Sequence, residues 1–329
     1  MITLFNKACI YDKLNKKIKL FGHYEKPITN IKSNGRLDNC KVSFCQDRPD
    51  FLIEYTIDYY VHNNIYIDNL VFDSNGNSVV YTNLKLTFPF ENLNMRLDKD
   101  RSAIISTTCK NYSHRLDEWI QYNLKLGFSG IIIFNNDENK VNPINEPIEN
   151  CINNRMMKEI TDKYEGKVLL IDFPYAPFKD FHYDNIQRNA LSIGVNAMKD
   201  KCRNIALIDA DEFIYIPKMD KMNIMEFLNR YNNTITIKSN IITNINDSDI
   251  IDNNIIELSE YVGEDKYTKT ILFTKQINEN EFITSPHIHP TEIILEKDVI
   301  THYHSWINMR YQYEETMEKI SCLKDFFLK

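Results

Sequence analysis

No Cys-x-x-Cys occurs anywhere in the chain. The seven cysteines, at 9, 40, 45, 109, 151, 202 and 322, are scattered and odd in number, and only Cys40 and Cys45 lie close together. That spacing speaks against a disulfide framework and reads as reduced thiols in a cytoplasmic protein, where Asn-x-Ser/Thr sites such as Asn111 carry no glycan. No apolar run is long enough to span a bilayer, and the opening Met1-Ile-Thr-Leu-Phe-Asn-Lys lacks the apolar core of a signal peptide. Positive charge is not in excess: the net charge is −7 and the pI about 5.7, which argues against a nucleic-acid-binding surface. Glycine is scarce, eight residues in 329, and arginine is sparse beside abundant Asn, Ile and Lys. Apolar residues make up 43%, enough core for one large α/β domain or two smaller ones.

Residues 1–98 form one part. Phe51 to Val61, Asn64 to Phe72 and Val79 to Phe88 alternate apolar and polar residues and are rich in Tyr, Ile and Val, with Asp73-Ser-Asn-Gly-Asn as a turn. This is antiparallel β patterning. Tyr59, Tyr60 and Tyr66 could stack on a sugar, although paired aromatics on strands are more often core. The polar Asn92 to Asp100 marks a boundary.

In the second part, 99–329, the period changes. Apolar strands are expected at Ala103–Thr107, Gly130–Phe134, Val168–Phe173 and Asn204–Asp209. Helices are expected at Arg115–Leu126, closed by Gly127, at Ile152–Lys163 and at Tyr183–Met198. Alternating strands and helices predict an α/β fold with a mixed, mainly parallel sheet and helices on both faces. Further on, the pattern gives a short helix at Ile224–Tyr231, strands at Thr234–Lys238 and Lys269–Phe273, and an amphipathic helix over Asn308–Leu328.

Asn204 to Pro217 organises this second part. Its apolar run stops on Asp209, Asp211 and Glu212, with only Ala210 between, and then apolar residues resume. Carboxylates ending a buried strand need a compensating cation. In an extended strand Asp209 and Asp211 share a face and make a hard-oxygen site suited to Mg²⁺ or Mn²⁺. Small Ala210 lets something bulky approach. The same acids could instead cap a turn or pair with a lysine.

Several motifs stand in a fixed order: Leu116-Asp-Glu-Trp-Ile-Gln-Tyr-Asn-Leu-Lys-Leu-Gly, Gly130-Ile-Ile-Ile-Phe-Asn-Asn, Gln187, Ile208-Asp-Ala-Asp-Glu-Phe, Lys269-Thr-Ile, then His302-Tyr303. Together they resemble the family-92 glycosyltransferases and their bacterial and viral relatives, over roughly residues 102–315. The resemblance does not cover the β-rich first part; over its span it implies a GT-A fold and an inverting transfer of sugar from a nucleotide-diphosphate donor, UDP-sugar favoured and GDP-sugar possible, to a glycan or glycoconjugate hydroxyl. Two departures stand out. Lys238-Ser-Asn-Ile-Ile-Thr-Asn replaces the family's Trp and Phe-Gly, so acceptor choice does not carry over. The Asn/Pro insertion at 138–150 is unmatched.

On this reading Asp209 and Asp211 hold the metal, which neutralises the departing diphosphate, and Lys269 adds fixed positive charge unless it is a solvated surface lysine. The resemblance favours His289 or His302 as a further metal ligand, from the pairs His287/His289 and His302/His304. Thr107, Lys110, Asn111, Asn136 and Asp137, at the first two strand tips, are candidates to meet the nucleotide base. Gln187 could reach the donor or Glu212. Asp247 and Asp249, with Glu264 and Asp265 as rivals, are candidates for the general base. A nucleotidyltransferase would want a Gly-rich basic loop after the first strand, and Thr107 to Arg115 contains no glycine. A catalytically inactive binding protein of the same fold is the third reading.

Overall fold

The computed structural model describes residues 1–34, 40–58, 64–74, 77–110, 113–136, 157–178, 184–217, 223–243, 261–287, 289–290, 292–304, 318–319 and 325–326. It is a mixed α/β protein with a largely sheet-based core and few helices.

The first part folds as two antiparallel sheets. Strands β1 (Ile2–Leu4), β2 (Ile10–Asp12), β3 (Lys17–Tyr24), β5 (Cys40–Phe44) and β6 (Asp50–Thr56) form one. Strands β4 (Asn30–Asn34), β7 (Ile65–Ser74) and β8 (Asn77–Leu86) form the other. Ile18, Leu20, Phe51, Ile53 and Tyr55 share a core with Ile67, Leu70, Phe72 and Leu86 across the two sheets. The alternate residues of β3 and β6 are buried as well. Because side chains alternate faces along a strand, Phe21 and Leu52 point away from that core, and they join a cluster built on the second part.

The second part carries a sheet of ten strands among the described residues. Its strands are β9 (Ala103–Cys109), β10 (Gly130–Asn135), β11 (Val168–Asp172), β12 (Asn204–Leu207), β13 (Glu212–Tyr215), β14 (Thr234–Thr243), β15 (Tyr261–Phe273), β16 (Glu292–Leu295), β17 (Thr301–His304) and β18 (Glu318–Lys319). The order β11-β10-β9-β12 is parallel throughout. From β12 onward antiparallel pairs enter, so the sheet as a whole is mixed, as expected. β15 runs antiparallel to both β12 and β14, and β17 is parallel to β14 but antiparallel to β13.

Helix α1 (Ser113–Leu126) buries Leu116, Trp119 and Ile120 among Ile105, Ile131 and Ile133. Helix α2 (Asp184–Met198) buries Ile186, Ala190 and Ile193 among Ile104, Ile132 and Ile205. α1 ends because Gly127 takes φ +107°. There its N–H donates to Leu124 O (3.1 Å), and Phe128 N donates to Asn123 O (3.2 Å). This paired closure needs a residue free of the Cβ penalty. α2 lies unusually close to β9: a Cβ at Gly194 would fall 2.3 Å from Ser106 Oγ.

Residues 157–162 are helical, within the span expected for a helix. The tail differs from expectation. Glu318–Lys319 pairs antiparallel with Tyr261 and Val262 as β18, so an uninterrupted helix from 308 to 328 does not form. Backbone partners on a sheet edge replace intrahelical ones there. Among the described residues no helix is long and apolar enough to cross a membrane, and Cys9, Cys40, Cys45 and Cys202 are free thiols.

Candidate active site

β12 stops at Leu207, and the chain turns over Asp209 to Glu212, with Glu212 N donating to Asp209 O (3.1 Å). Glu212 also closes the turn through its side chain, Oε2 accepting from Asp209 N at 2.9 Å. The two aspartates therefore sit on a turn, not on an extended strand, and the shared-face geometry expected of i and i+2 does not hold. Competition for backbone donors explains it: a carboxylate three residues ahead satisfies the Asp209 N–H locally.

Two elements brace β13, the strand that leaves this turn. α1 supplies Trp119 Nε1 to Glu212 O (2.9 Å) and Tyr122 Oη to Ile214 O (2.6 Å), so the Glu-Trp-x-x-Tyr spacing serves to clamp β13. β17 pairs with β13 so that His304 lies across from Glu212 and His302 across from Ile214. Their side chains are outside the described residues.

Asp209 is held from both sides. Gln187 Nε2, on α2, donates to Oδ1 at 2.6 Å, and Lys269 Nζ, from β15, donates to Oδ2. Lys269 Nζ is also 3.4 Å from Glu212 Oε1 and is 2% exposed, so it is a buried ion-pair partner and not a solvated surface lysine. Burial alone would lower the Lys269 pKa, but Asp209 and then Glu212 push it above its usual value. Burial would raise Asp209, yet the charge and hydrogen bond of Lys269 hold it below the ordinary carboxylate range. Glu212 goes well above that range through burial, helped by Asp209 and Asp211 and opposed by Lys269. One buried ammonium thus favours the ionised form of Asp209, while Glu212, set deeper and beside other carboxylates, is harder to ionise.

This bears on the expected metal site. Both oxygens of Asp209 are engaged, and one faces an ammonium that a second cation would repel. Asp209 does not fit as a direct metal ligand. Among the described residues no group of three His, Cys, Asp or Glu side chains could hold a metal ion, so Asp209, Asp211 and His289 are not brought together as a ligand set. His289 is half-buried; its N donates to Glu292 Oε2 (2.9 Å), and its charged neighbours are Glu281 and Glu292. His287 is the histidine beside the acid turn. Its Nδ1 donates to Thr268 O (2.6 Å), and burial, then the charge of Lys269, hold it neutral below its usual pKa while Asp209 opposes them.

The remaining candidates separate. Thr107 is 1% exposed inside β9, because the strand runs two residues beyond the apolar run, so Lys110 stands at the tip instead. Asn136 is buried at the end of β10, its Nδ2 donating to Phe173 O (2.7 Å) and Tyr175 O (2.9 Å), which ties two strand ends together. Its Oδ1 is buried and meets no donor among the described residues. Ala210 is buried and Asp211 half-buried on the turn. Glu264 and Asp265 lie on β15, with Glu264 opposite Asn240 beside the irregularity at Lys238–Asn240, and their side chains are not described. Asn111, Asp137, Asp247 and Asp249 fall outside the described residues.

No protein-family model matches the chain, and no curated protein matches it. Among solved structures, the crystal structure of UDP-glucose pyrophosphorylase complexed with UDP-glucose aligns with 70% of this chain and 96% of that chain, at 9% identity and a TM-score of 0.25. A score at that level carries no argument about fold or substrate.

Proposed function

We propose that the chain is a GT-A-type glycosyltransferase, akin to family 92, that moves a sugar from a nucleoside diphosphate to a hydroxyl acceptor. One observation carries the reading: the Asp209–Glu212 turn stands at the carboxyl end of β12, where the strand order reverses. Numbered within the second part, β11-β10-β9-β12 runs third, second, first, fourth. Open α/β sheets bind ligands in the crevice outside the carboxyl ends of their strands at such a reversal, here between β9 and β12. The burial of α1 and α2 in separate clusters, each with alternate residues of β9 and β10, supports the same reading.

In the transfer an acceptor oxygen attacks the anomeric carbon and the bond to the β-phosphate oxygen breaks. The acceptor proton passes to a carboxylate, for which Asp247, Asp249, Glu264 and Asp265 remain the candidates. Lys269 and Gln187 fix Asp209, which fixes the turn. Asp211 is the carboxylate expected to act on the donor, directly or with Mn²⁺ or Mg²⁺ and His302. Hydrolysis of a panel of UDP- and GDP-sugars tests this. One donor should be consumed above the blank, and Asp211→Asn should abolish it. Turnover of no nucleotide sugar, with pyrophosphate exchange between UTP and a sugar phosphate instead, would replace the reading with nucleotidyl transfer.

A further inference from the structure

Neither Asp209 nor the ammonium of Lys269 is free to serve a departing diphosphate. Asp209 is engaged by Lys269, and Lys269 is matched by two carboxylates. Further positive charge lies nearby, on residues outside every motif. Asp50, at the start of β6, accepts from Asn189 Nδ2 on α2 (2.8 Å), which sets the segment around Arg48 beside Arg188. Arg48 donates through Nη2 to Thr284 O. That segment is fixed in turn, Ile283 N donating to Ser192 Oγ (2.8 Å) and Thr270 N to Pro286 O (2.9 Å), next to Lys269. Arg188 follows Gln187 directly and stands 3.6 Å from Asp184, its i−4 neighbour. Loop 45–49, the start of α2 and the 283–287 segment therefore meet beside the acid turn.

Two donors in this cluster, Arg48 Nη1 and Arg188 Nε, are buried and meet no acceptor among the described residues. Burial, and then the like charge of Arg188, push the Arg48 guanidinium below its usual range against the opposing charges of Asp50 and Asp184, yet an arginine stays charged. Buried, unpaired donors on adjacent cations are costly, and an anion between them removes the cost. Guanidinium forks match phosphate oxygens in pairs. Arg188 keeps 26% side-chain exposure, so a ligand can reach it.

We propose that Arg48 and Arg188 form a two-arginine subsite for a phosphate group, built jointly by the N-terminal strands and α2 beside the Asp209–Glu212 turn. The subsite deepens the nucleotide-sugar reading and, as to which phosphate it takes, rests on it. It makes the first 98 residues part of the ligand site.

Calorimetric titration of pyrophosphate, inorganic phosphate and UDP into the full chain, with EDTA present, tests the subsite in Arg48→Gln, Arg188→Gln and Arg48→Lys. Glutamine removes the charge while keeping a donor for Thr284 O, and melting temperatures check the fold. Pyrophosphate affinity should fall by about 10- to 100-fold in each glutamine variant, with a smaller loss in Arg48→Lys. An equal loss for UDP assigns the subsite to the donor diphosphate. A loss for pyrophosphate and phosphate with UDP unchanged assigns it to a phosphate on the acceptor. If the parent binds pyrophosphate through these arginines but binds neither UDP nor GDP even when Mn²⁺ replaces the EDTA, the subsite stands and the nucleotide-sugar reading fails. Folded glutamine variants that bind all three probes like the parent overturn the subsite and leave that reading intact.

Discussion

Removing the ammonium of Lys269 would leave Asp209 and Glu212 facing each other without a counter-charge. Lys269→Met is expected to destabilise the chain by about 3 kcal/mol, at the low end for a broken buried pair because Asp209 keeps 35% exposure. Urea unfolding measures it, and a loss below about 1 kcal/mol would mean the pair is weakly coupled to folding. Glu212 gives a signature in pH. Its raised pKa means that the native state holds a proton which the unfolded chain releases near the ordinary value of 4.5. The unfolded state then binds fewer protons, so stability falls as pH rises above that value. Glu212→Gln should flatten this slope between pH 5 and 8, and an unchanged slope would show that Glu212 ionises normally. The sequence pointed to the acids and to Lys269 and offered a lysine pairing as the alternative to a metal, but it could not choose, because the partners are 60 residues apart and the choice between a free and a matched lysine is made by tertiary burial. The turn was likewise one of two open readings: the Asp209 N–H bond to Glu212 competes with strand geometry, and an apolar run on either side reads the same in both cases.

At the level of elements, β13 is aimed by α1. Tyr122→Phe removes the hydroxyl bond to Ile214 O inside the core, for an expected cost of about 1–2 kcal/mol. Calorimetry of the variant checks this, and no loss of stability would mean that the clamp is redundant. Gly194→Ala should cost about 1–3 kcal/mol by forcing α2 off β9, and should weaken ligand binding along with stability, since α2 carries Gln187 and Arg188. The strands β9, β10 and β11 and the helices α1 and α2 were legible because short apolar runs and i, i+3, i+4 spacing hold along most of their length. The antiparallel extension was less so. β14 runs on to Thr243 and β15 begins at Tyr261, beyond the apolar cores at Thr234–Lys238 and Lys269–Phe273 that gave them away. The added length is held by pairing of the two strands with each other, which depends on a partner and not on local hydrophobic period.

Across the whole molecule, the N-terminal strands and the α/β part are joined by buried contacts. Phe5 stacks on Phe173 (5.2 Å between centroids), the Tyr175 hydroxyl bonds Asn6 Oδ1 (3.2 Å), and His23 and Asp50, 2.6 Å apart, meet Asn189. Scanning calorimetry should accordingly give one unfolding transition; two separated transitions would show that the parts are energetically independent. Composition and strand patterning announced two parts, but nothing local in the sequence announced this interface. Asp50 and His23, polar residues of β6 and β3, are buried only because α2 covers them, and Arg48 belongs to no motif. The central claim is that the acid turn at the strand reversal binds a nucleoside diphosphate. Titration of UDP and GDP, with Mn²⁺ present, into the full chain and into Asp211→Asn tests it most directly. Saturable binding of one diphosphate by the parent, weakened about tenfold or more in a folded Asp211→Asn, is the expected result, whereas binding of neither diphosphate by the parent, or equal binding by the variant, would contradict it.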